Sequence, residues 1–368
     1  MNFGGLRVGL VGPFPPPEGG IANQTLQLGE LLRREGADVT AVPVNAPYRP
    51  SWIETIRGVR ALFRLVPYIL RLWIVAGRVD VFHIMANSGW SWHLFATPAI
   101  WIARLRGVPS VVNYRGGEAE SFLAHSGGAV LKTLRRASAL AVPSGFLEQV
   151  FLRSGIQSTV VPNIVDTDHF RSAGPAYPKR AAHLVVARSL EPIYDIATAL
   201  RAFRLVRNDF ADATLTVAGS GPEERALHAL AEELDIAGAV RFRGRLDRNQ
   251  MAELYRSASV VINPSRVDNM PNSVLEAMAT GAVVVSTDVG GVPFIVRDGI
   301  TGLLVAPGDP AAMAERLRRV LADPQLANKL RDAALADIQQ YTWTKVREKW
   351  SDVYASVLSA ARPEVLPT

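Results

Sequence analysis

Two carboxylates eight positions apart, Asp268 and Glu276, lie in a stretch that reads Asn263-Pro264-Ser265-Arg266-Val267-Asp268-Asn269-Met270-Pro271-Asn272-Ser273-Val274-Leu275-Glu276. A short apolar run precedes it, and a helical pattern begins around Pro271 to Ser273. Asp268 therefore sits on a strand-to-helix loop and Glu276 one turn into the helix. The two acids can meet one ligand from two heights, with unpaired backbone N–H groups between them. Carboxylates accept hydrogen bonds from hydroxyl groups and a helix N-terminus holds a diphosphate, so the arrangement suits a nucleotide sugar. The same spacing also fits an N-capping Asp and a solvated helical Glu, and spacing alone leaves both readings open.

Other residues with chemistry occupy comparable positions. Arg188 ends a strand pattern, where its guanidinium can neutralise a diphosphate bidentately. Gly219-Ser220-Gly221-Pro222 follows the next strand and reads as a tight structural turn. Nearer the start, Gly19 and Gly20 precede a helix that begins near Ile21 and offer N–H groups to a phosphate or sugar. They match neither the dinucleotide nor the Walker fingerprint, so a plain turn is an equal alternative. His83 ends a strand, either as an acceptor contact or as a satisfied structural histidine. Asn113-Tyr114-Arg115-Gly116-Gly117-Glu118 ends the following strand, and Tyr114, Arg115 and Glu118 are further acceptor candidates, Arg115 foremost.

Loops of this kind need strands and helices in alternation to hold them, and the chain supplies two such series. Strand patterns fall at Arg7 to Val11, Asp38 to Val42, Val79 to Ile84, Ser110 to Asn113, Ala139 to Val142 and Thr159 to Val161, with helices Ile21 to Glu35, Trp92 to Arg106 and Phe146 to Ser154. The pattern restarts at His183 to Ala187, Thr214 to Ala218, Val240 to Phe242, Ser259 to Ile262 and Val283 to Ser286. Helices near Ile196 to Arg207, Glu223 to Leu234, Asn249 to Ser257 and Ser273 to Ala279 lie among these strands. The fold class is α/β, two Rossmann-like halves, and a turn-rich stretch from Pro162 to Pro178 marks the join. Ligands are expected at the carboxyl ends of such strands.

Composition narrows the function classes. The 368 residues, 48% hydrophobic and 20% charged, fit about two folded domains rather than long disorder. Cysteine is absent, which removes disulfides, thiolate zinc sites and cysteine nucleophiles and fits a reducing cytoplasm. Net charge is +6, yet residues 1–165 hold 16 basic against 9 acidic side chains while residues 166–368 hold 24 against 25. The basic half points to an anionic partner. No recognition motif accompanies the charge, so nucleic acid is not expected. The opening run Leu6 to Val11, stopped by Gly12-Pro13, is too brief for a secretory core. The stretch Val59 to Ala76 carries Arg60, Arg64, Arg71 and Pro67, against a membrane span.

The segment SRVDNMPNSVLEAMATG, followed by VVVSTDVGGVPFIVRDGITGLLVAPGD, resembles the donor-site signature of family 4 glycosyltransferases of the GT-B fold. So do AVPSGFLEQVFLRSGI with VVPNIVDTDHF, VAGSGPEERALHALAEELDIAGAVRFRGRL and the closing YTWTKVREKWSDVYASVL, in order from residue 7 to about 358. The resemblance implies two Rossmann-like domains facing a cleft: an acceptor domain over 1–165, a donor domain over 166–340, and a C-terminal helix in 341–368 returning to the first. It implies retaining, metal-independent transfer from a UDP-, GDP- or ADP-linked sugar to a saccharide or lipid-linked acceptor in cell-surface polysaccharide or glycoconjugate synthesis, with no cofactor. By similarity Asp268, where the family usually has Glu, would bind donor-sugar hydroxyls and Glu276 the ribose. The backbone of Asn269, Met270, Pro271, Asn272 and Ser273 would contact sugar and diphosphate. Arg188 with Gly19 and Gly20 would complete the phosphate site, and Gly244, Arg245 and Leu246 would border the base. The leaving diphosphate would help remove the acceptor proton.

This chain departs from the family pattern at three places. Tyr194 stands where a Lys commonly follows the phosphate-binding Arg, Arg115 where many relatives have a His, and Phe294 where an acid is frequent. Arg115 is accordingly a candidate for cationic stabilisation of the diphosphate. The first two departures motivate an alternative, a catalytically weak GT-B binding protein; a GT-B nucleotide-sugar epimerase is a further one. From Trp52 to Arg78 the chain reads as one or two helices broken near Pro67, with arginines among aromatic residues. Such a segment fits either an anionic membrane surface, with the protein peripheral at the inner face of the cell membrane, or an ordinary outer helix.

Overall fold

The computed structural model describes residues 2–16, 19–48, 60–172 and 182–361. The chain divides into two compact units, Met1–Asn163 with Val346–Thr368, and Ile164–Lys345. In the first, β1 (Arg7–Gly12), β2 (Asp38–Pro43), β3 (Val81–Ala86), β4 (Ser110–Tyr114), β5 (Ala139–Val142) and β6 (Thr159–Val160) form a parallel sheet in the order β2-β1-β3-β4-β5-β6. In the second, β7 (His183–Ala187), β8 (Thr214–Ala218), β9 (Val240–Phe242), β10 (Val260–Asn263), β11 (Val283–Thr287) and β12 (Leu303–Val305) are parallel in the order β12-β11-β10-β7-β8-β9.

Parallel neighbours require crossovers, and helices supply them. In the first unit these are α1 (Gly20–Arg34), α2 (Arg60–Ala76), α3 (Thr97–Leu105), α4 (Ala119–Leu134) and α5 (Gly145–Arg153). In the second they are α6 (Ile196–Val206), α7 (Glu224–Glu233), α8 (Arg248–Ser257) and α9 (Asn272–Ala279), while α10 (Pro310–Ala322) and α11 (Pro324–Asp337) follow β12. The closing α12 (Trp343–Ala361) belongs to the first unit from Val346 on.

The near-continuous apolar strands follow from burial on both faces. In the second sheet Leu184, Val186, Leu215, Val217 and Ile262 pack into one cluster. Val185, Ala187, Val261 and Val284, on the opposite face, pack into another. Each such Val, Leu or Ile side chain contributes about 1.5–3 kcal/mol on burial, which pins the register and thereby the loops at the strand ends.

Sheet order also decides which loops meet. From β7 the chain moves outward to β8 and β9, then crosses back to place β10 on the other side of β7. The loops leaving β7 and β10 diverge there, the kind of switch point at which α/β sheets leave room for a ligand. Arg188 follows β7, and Asp268 lies on the loop that follows β10.

Four elements were not expected from the sequence. β12 has three residues, too short for a periodic signal, and α4 contains Gly127-Gly128, which lower helix propensity. Buried Phe122, Leu123, Val130 and Leu134 hold α4 together. The other two, α10 and α11, do carry readable start signals, Asp309-Pro310 and Asp323-Pro324, each Asp accepting from helical N–H groups. The helix expected over Trp92 to Arg106 opens with a π-helical turn, Trp92–Ala96, before α3. The break expected near Pro67 is absent. α2 runs through it, because buried Tyr68, Leu72, Val75 and Ala76 anchor the helix beyond the proline. The part of that reading from Trp52 to Val59 lies outside the described residues.

Candidate functional site

Arg188 owes its place to two glycines in the loop after β8. A Cβ on Gly219 would stand 1.9 Å from the Arg188 carbonyl oxygen, at a φ of +143°, and one on Gly221 would stand 2.3 Å from the Leu190 carbonyl oxygen. Only bare backbone fits. The two loops are then stitched together, Arg188 N–H donating to Ala218 O at 3.0 Å and Leu190 N–H to Ser220 O at 3.1 Å. The Gly219-Ser220-Gly221 turn is thus structural, as expected, and its work is to aim Arg188.

The guanidinium so placed is engaged on nearly every side. Nη2 pairs with Asp268 Oδ2 at 2.8 Å, both side chains largely buried. Nη1 donates to Ser273 Oγ at 3.3 Å, and Tyr194 lies against the guanidinium face, 4.0 Å from ring centroid to Cζ. Burial raises the Tyr194 hydroxyl above its usual range, so Tyr194 brings a platform and no charge. Asp268 accepts from the Asn269 N–H at 3.0 Å, and the Gly291 N–H bonds its carbonyl at 3.2 Å. Behind it, Asn263 donates to Ser286 Oγ at 3.0 Å and accepts from Ser265 Oγ at 2.8 Å, a buried network the sequence reading missed.

The bland alternative for the two acids does not hold. Asp268 caps nothing, since Pro271 stands at the N-cap of α9 without a side-chain bond. Nor is Glu276 freely solvated: it is half-buried, and burial pushes its carboxyl up to about 7, against opposing pulls from Arg248 and from the Tyr255 hydroxyl that hydrogen-bonds it. Neither Tyr255 nor Arg248 was singled out from sequence. Tyr255 lies inside the α8 helical pattern, where a tyrosine reads as ordinary core.

Among the base-side candidates, Gly244 accepts through its carbonyl from the Gly219 N–H at 2.8 Å, and Arg245 Nε donates to Ser220 Oγ at 2.8 Å. Leu246 packs at the edge of the core beside α8. These three therefore lie beside the loop that aims Arg188. Asn272 and Ser273 open α9, with Met270 and Asn269 buried just before it. Among the described residues no group of three or more His, Asp or Glu side chains is placed to hold a metal ion.

In the first unit, Gly19 is the N-cap of α1 in extended backbone without a side-chain cap, and both Gly19 and Gly20 are exposed. Asn45, unremarked in the sequence, braces the loop after β1: it accepts from the Phe14 N–H at 2.9 Å and donates to the Phe14 and Pro16 carbonyls at 2.6 and 3.1 Å.

Two acceptor candidates need correction. His83 is fully buried, its Nδ1 2.7 Å from the Tyr354 hydroxyl and its Nε2 3.1 Å from the Asn113 amide nitrogen, and Trp350 packs edge-on against the ring. Burial, aided by the Arg115 charge, pushes its pKa down to about 3. It is a neutral fastener between β3, β4 and α12. Tyr114 is also fully buried, its hydroxyl bonded to Ser88 Oγ at 2.7 Å. Glu118 is exposed at the start of α4.

Arg115 is different. It is half-buried, bonded through Nη1 to Asn163 Oδ1, and its Nε has no partner. No carboxylate among the described residues pairs with it, and burial pushes its pKa down to about 10.

With these loops in place, the comparison with known proteins is direct. The profile of the Glycosyltransferase Family 4 matches residues 18–169, and that of Glycosyl transferases group 1 matches residues 167–337. The chain belongs to glycosyltransferase family 4. This family 4 chain is 37% identical over 145 residues to D-inositol 3-phosphate glycosyltransferase of Streptomyces bingchenggensis, covering 39% of this chain and 32% of that one. That match spans about a third of the relative's length. It is 28% identical over 388 residues to phosphatidyl-myo-inositol mannosyltransferase of Mycobacterium tuberculosis (strain H37Rv), covering 98% of this chain and 100% of that one. Its fold is GT-B, like that of Anabaena HepE in complex with UDP-glucose, at a TM-score of 0.74 and 16% identity over 95% of this chain and 99% of that one.

Proposed function

We propose that this family 4 chain moves a glycosyl group from a nucleotide-activated sugar to a saccharide or lipid-linked acceptor, with retention and without a metal. The observation that carries the reading is the convergence at the β7/β10 switch point of Arg188, Asp268, Ser273 and the N-terminus of α9, with Glu276 on the same helix. Arg188 and the α9 amides suit the diphosphate; Asp268 suits sugar hydroxyls and Glu276 the ribose. In the transfer, the acceptor oxygen bonds to the anomeric carbon as the bond from that carbon to the diphosphate oxygen breaks. The departing oxygen takes the acceptor proton on the same face, so no protein base is required.

The nucleotide is uridine, guanosine or adenosine diphosphate. A panel of UDP-, GDP- and ADP-sugars, followed by thermal shift and calorimetry, tests the donor site. One nucleotide should stabilise the wild type and fail with Glu276→Ala. The pH dependence carries a sign. Ribose hydroxyls need the Glu276 carboxylate, which in the free protein ionises only near pH 7, so affinity should rise from pH 5 to 8. Stability of the ligand-free protein should fall over the same interval, because a carboxyl whose folded pKa is raised binds its proton more tightly folded than unfolded. Glu276→Gln should flatten both slopes. No nucleotide sugar stabilising the protein at about 1 mM, the upper end of usual KM values, would overturn the reading in favour of a noncatalytic binder.

A lipid-linked acceptor, as in the mannosyltransferase relative's name, agrees with an unusual surface on α2. Phe63, Val66, Ile69, Leu70, Trp73 and Ile74 are exposed on a helix whose other face, Tyr68, Leu72 and Val75, is already in the core. No acidic residue occurs from Thr55 to Val79, while Arg64, Arg71 and Arg78 do. Arg106, at the end of α3, stacks on Trp73 at 4.8 Å. We take this face as the seat of an anionic bilayer on the cytoplasmic side. No helix among the described residues is long and apolar enough to cross a membrane. Flotation with phosphatidylglycerol vesicles should carry the wild type, and Leu70→Glu with Trp73→Glu should weaken binding by about tenfold or more at an unchanged melting temperature. Equal flotation of both proteins would overturn the assignment.

A further inference from the structure

Arg188 and Asp268 are each other's partner before a donor arrives. Their 2.8 Å ion pair is buried, with side-chain exposures of 11% and 9%. Around the same guanidinium Nη1 donates to Ser273 Oγ, the face lies under Tyr194, and Nε is buried without a partner. Asp268 is held from its other side by the Asn269 N–H, and Asn263 Nδ2 lies 3.5 Å from Oδ2. An anion that draws Arg188 away therefore leaves a buried carboxylate without its counter-charge, which is costly unless the same molecule also donates to Asp268.

We infer that this ion pair makes the donor site select a nucleoside diphosphate that still carries its sugar over the bare nucleoside diphosphate. The inference rests on the donor-site reading above. An intact donor replaces both halves of the pair at once, its diphosphate meeting Arg188 and its sugar hydroxyls donating to Asp268. The bare diphosphate offers Arg188 an anion but gives Asp268 no hydrogen. It also brings an additional negative charge on its terminal phosphate, which the Asp268 carboxylate repels. Tyr194 makes the pair decisive. A second cation at that position would hold the diphosphate whatever Asp268 did, whereas an uncharged ring adds no such grip.

The test is calorimetry with UDP and UDP-glucose, GDP and GDP-mannose, and ADP and ADP-glucose on wild type, Asp268→Asn and Asp268→Glu. Asn keeps an oxygen for the Asn269 N–H but removes the charge. The wild type should prefer the sugar-bearing ligand. In Asp268→Asn the bare diphosphate should bind about tenfold tighter, the worth of one released charge-assisted bond, and the preference should collapse. Asp268→Glu, which retains the carboxylate, should restore it; a purely structural role for Asp268 would lower both affinities together. If a nucleotide binds but Asp268→Asn leaves the bare diphosphate no tighter, the selection is overturned while the donor site stands. If the wild type binds none of the six ligands, the donor reading fails and takes this inference with it.

Discussion

Arg188→Ala is expected to lower kcat by about 10²- to 10³-fold, the usual cost of removing one preorganised group that meets developing charge. The measurement is donor hydrolysis or transfer with whichever nucleotide sugar stabilises the wild type. Three features make Arg188 the residue on which most depends. It stands at the switch point by a backbone fit that tolerates no side chain at Gly219. Ser273 and Tyr194 hold the guanidinium at the strand end besides the Asp268 pair that the donor replaces. Tyr194, which lies against its face, brings no charge to assist it. Alanine will also strand the Asp268 carboxylate, a destabilisation of about 3–5 kcal/mol for a broken buried pair. Arg188→Lys is therefore the companion variant. It keeps the charge and loses the fork and the stacking, so it should retain the fold and recover only part of the rate. Turnover within threefold of wild type in both folded variants would remove Arg188 from the chemistry.

The second large effect is expected at Arg115. Arg115→Met should lower turnover by about a hundredfold or more while leaving the melting temperature equal to or above that of the wild type. The two halves of this expectation have one cause. A half-buried guanidinium with an unpartnered Nε and no carboxylate beside it among the described residues is a charge that folding alone would not retain. Methionine fills a similar volume without the desolvation cost, so the fold loses nothing. The expectation is that the arginine meets an anionic group of the substrate, so that activity is traded against stability at this position. Unchanged turnover would exclude that role. A melting temperature well below wild type would show instead that Arg115 is a structural anchor of Asn163.

Much of the candidate site was legible in order along the chain. Asp268, Glu276 and Arg188 each sit where a strand pattern gives way to a loop or a helix, and that change of period is a local property. The family signature over residues 265–309 depends on the same local letters. What such letters cannot carry is the partner. Arg188 and Ser273 are 85 positions apart, and His83 and Tyr354 are 271 apart. A histidine at a strand end looks the same in sequence whether it faces a ligand or is sealed by the closing helix.

The sequence by itself determined two parallel α/β units, because buried strands and amphipathic helices impose periods that need no knowledge of neighbours. It determined as well which loops carry acids, arginines and glycines. Only the tertiary structure decided that Asp268 is an ion-pair partner rather than a helix cap, that Tyr255 holds Glu276, and that Tyr194 lies against the face of Arg188. It also decided that α2 passes unbroken through Pro67 and leaves an apolar face in solvent. These outcomes depend on strand order and on what packs across it, and burial energy summed over many distant contacts settles them where local propensity has no say.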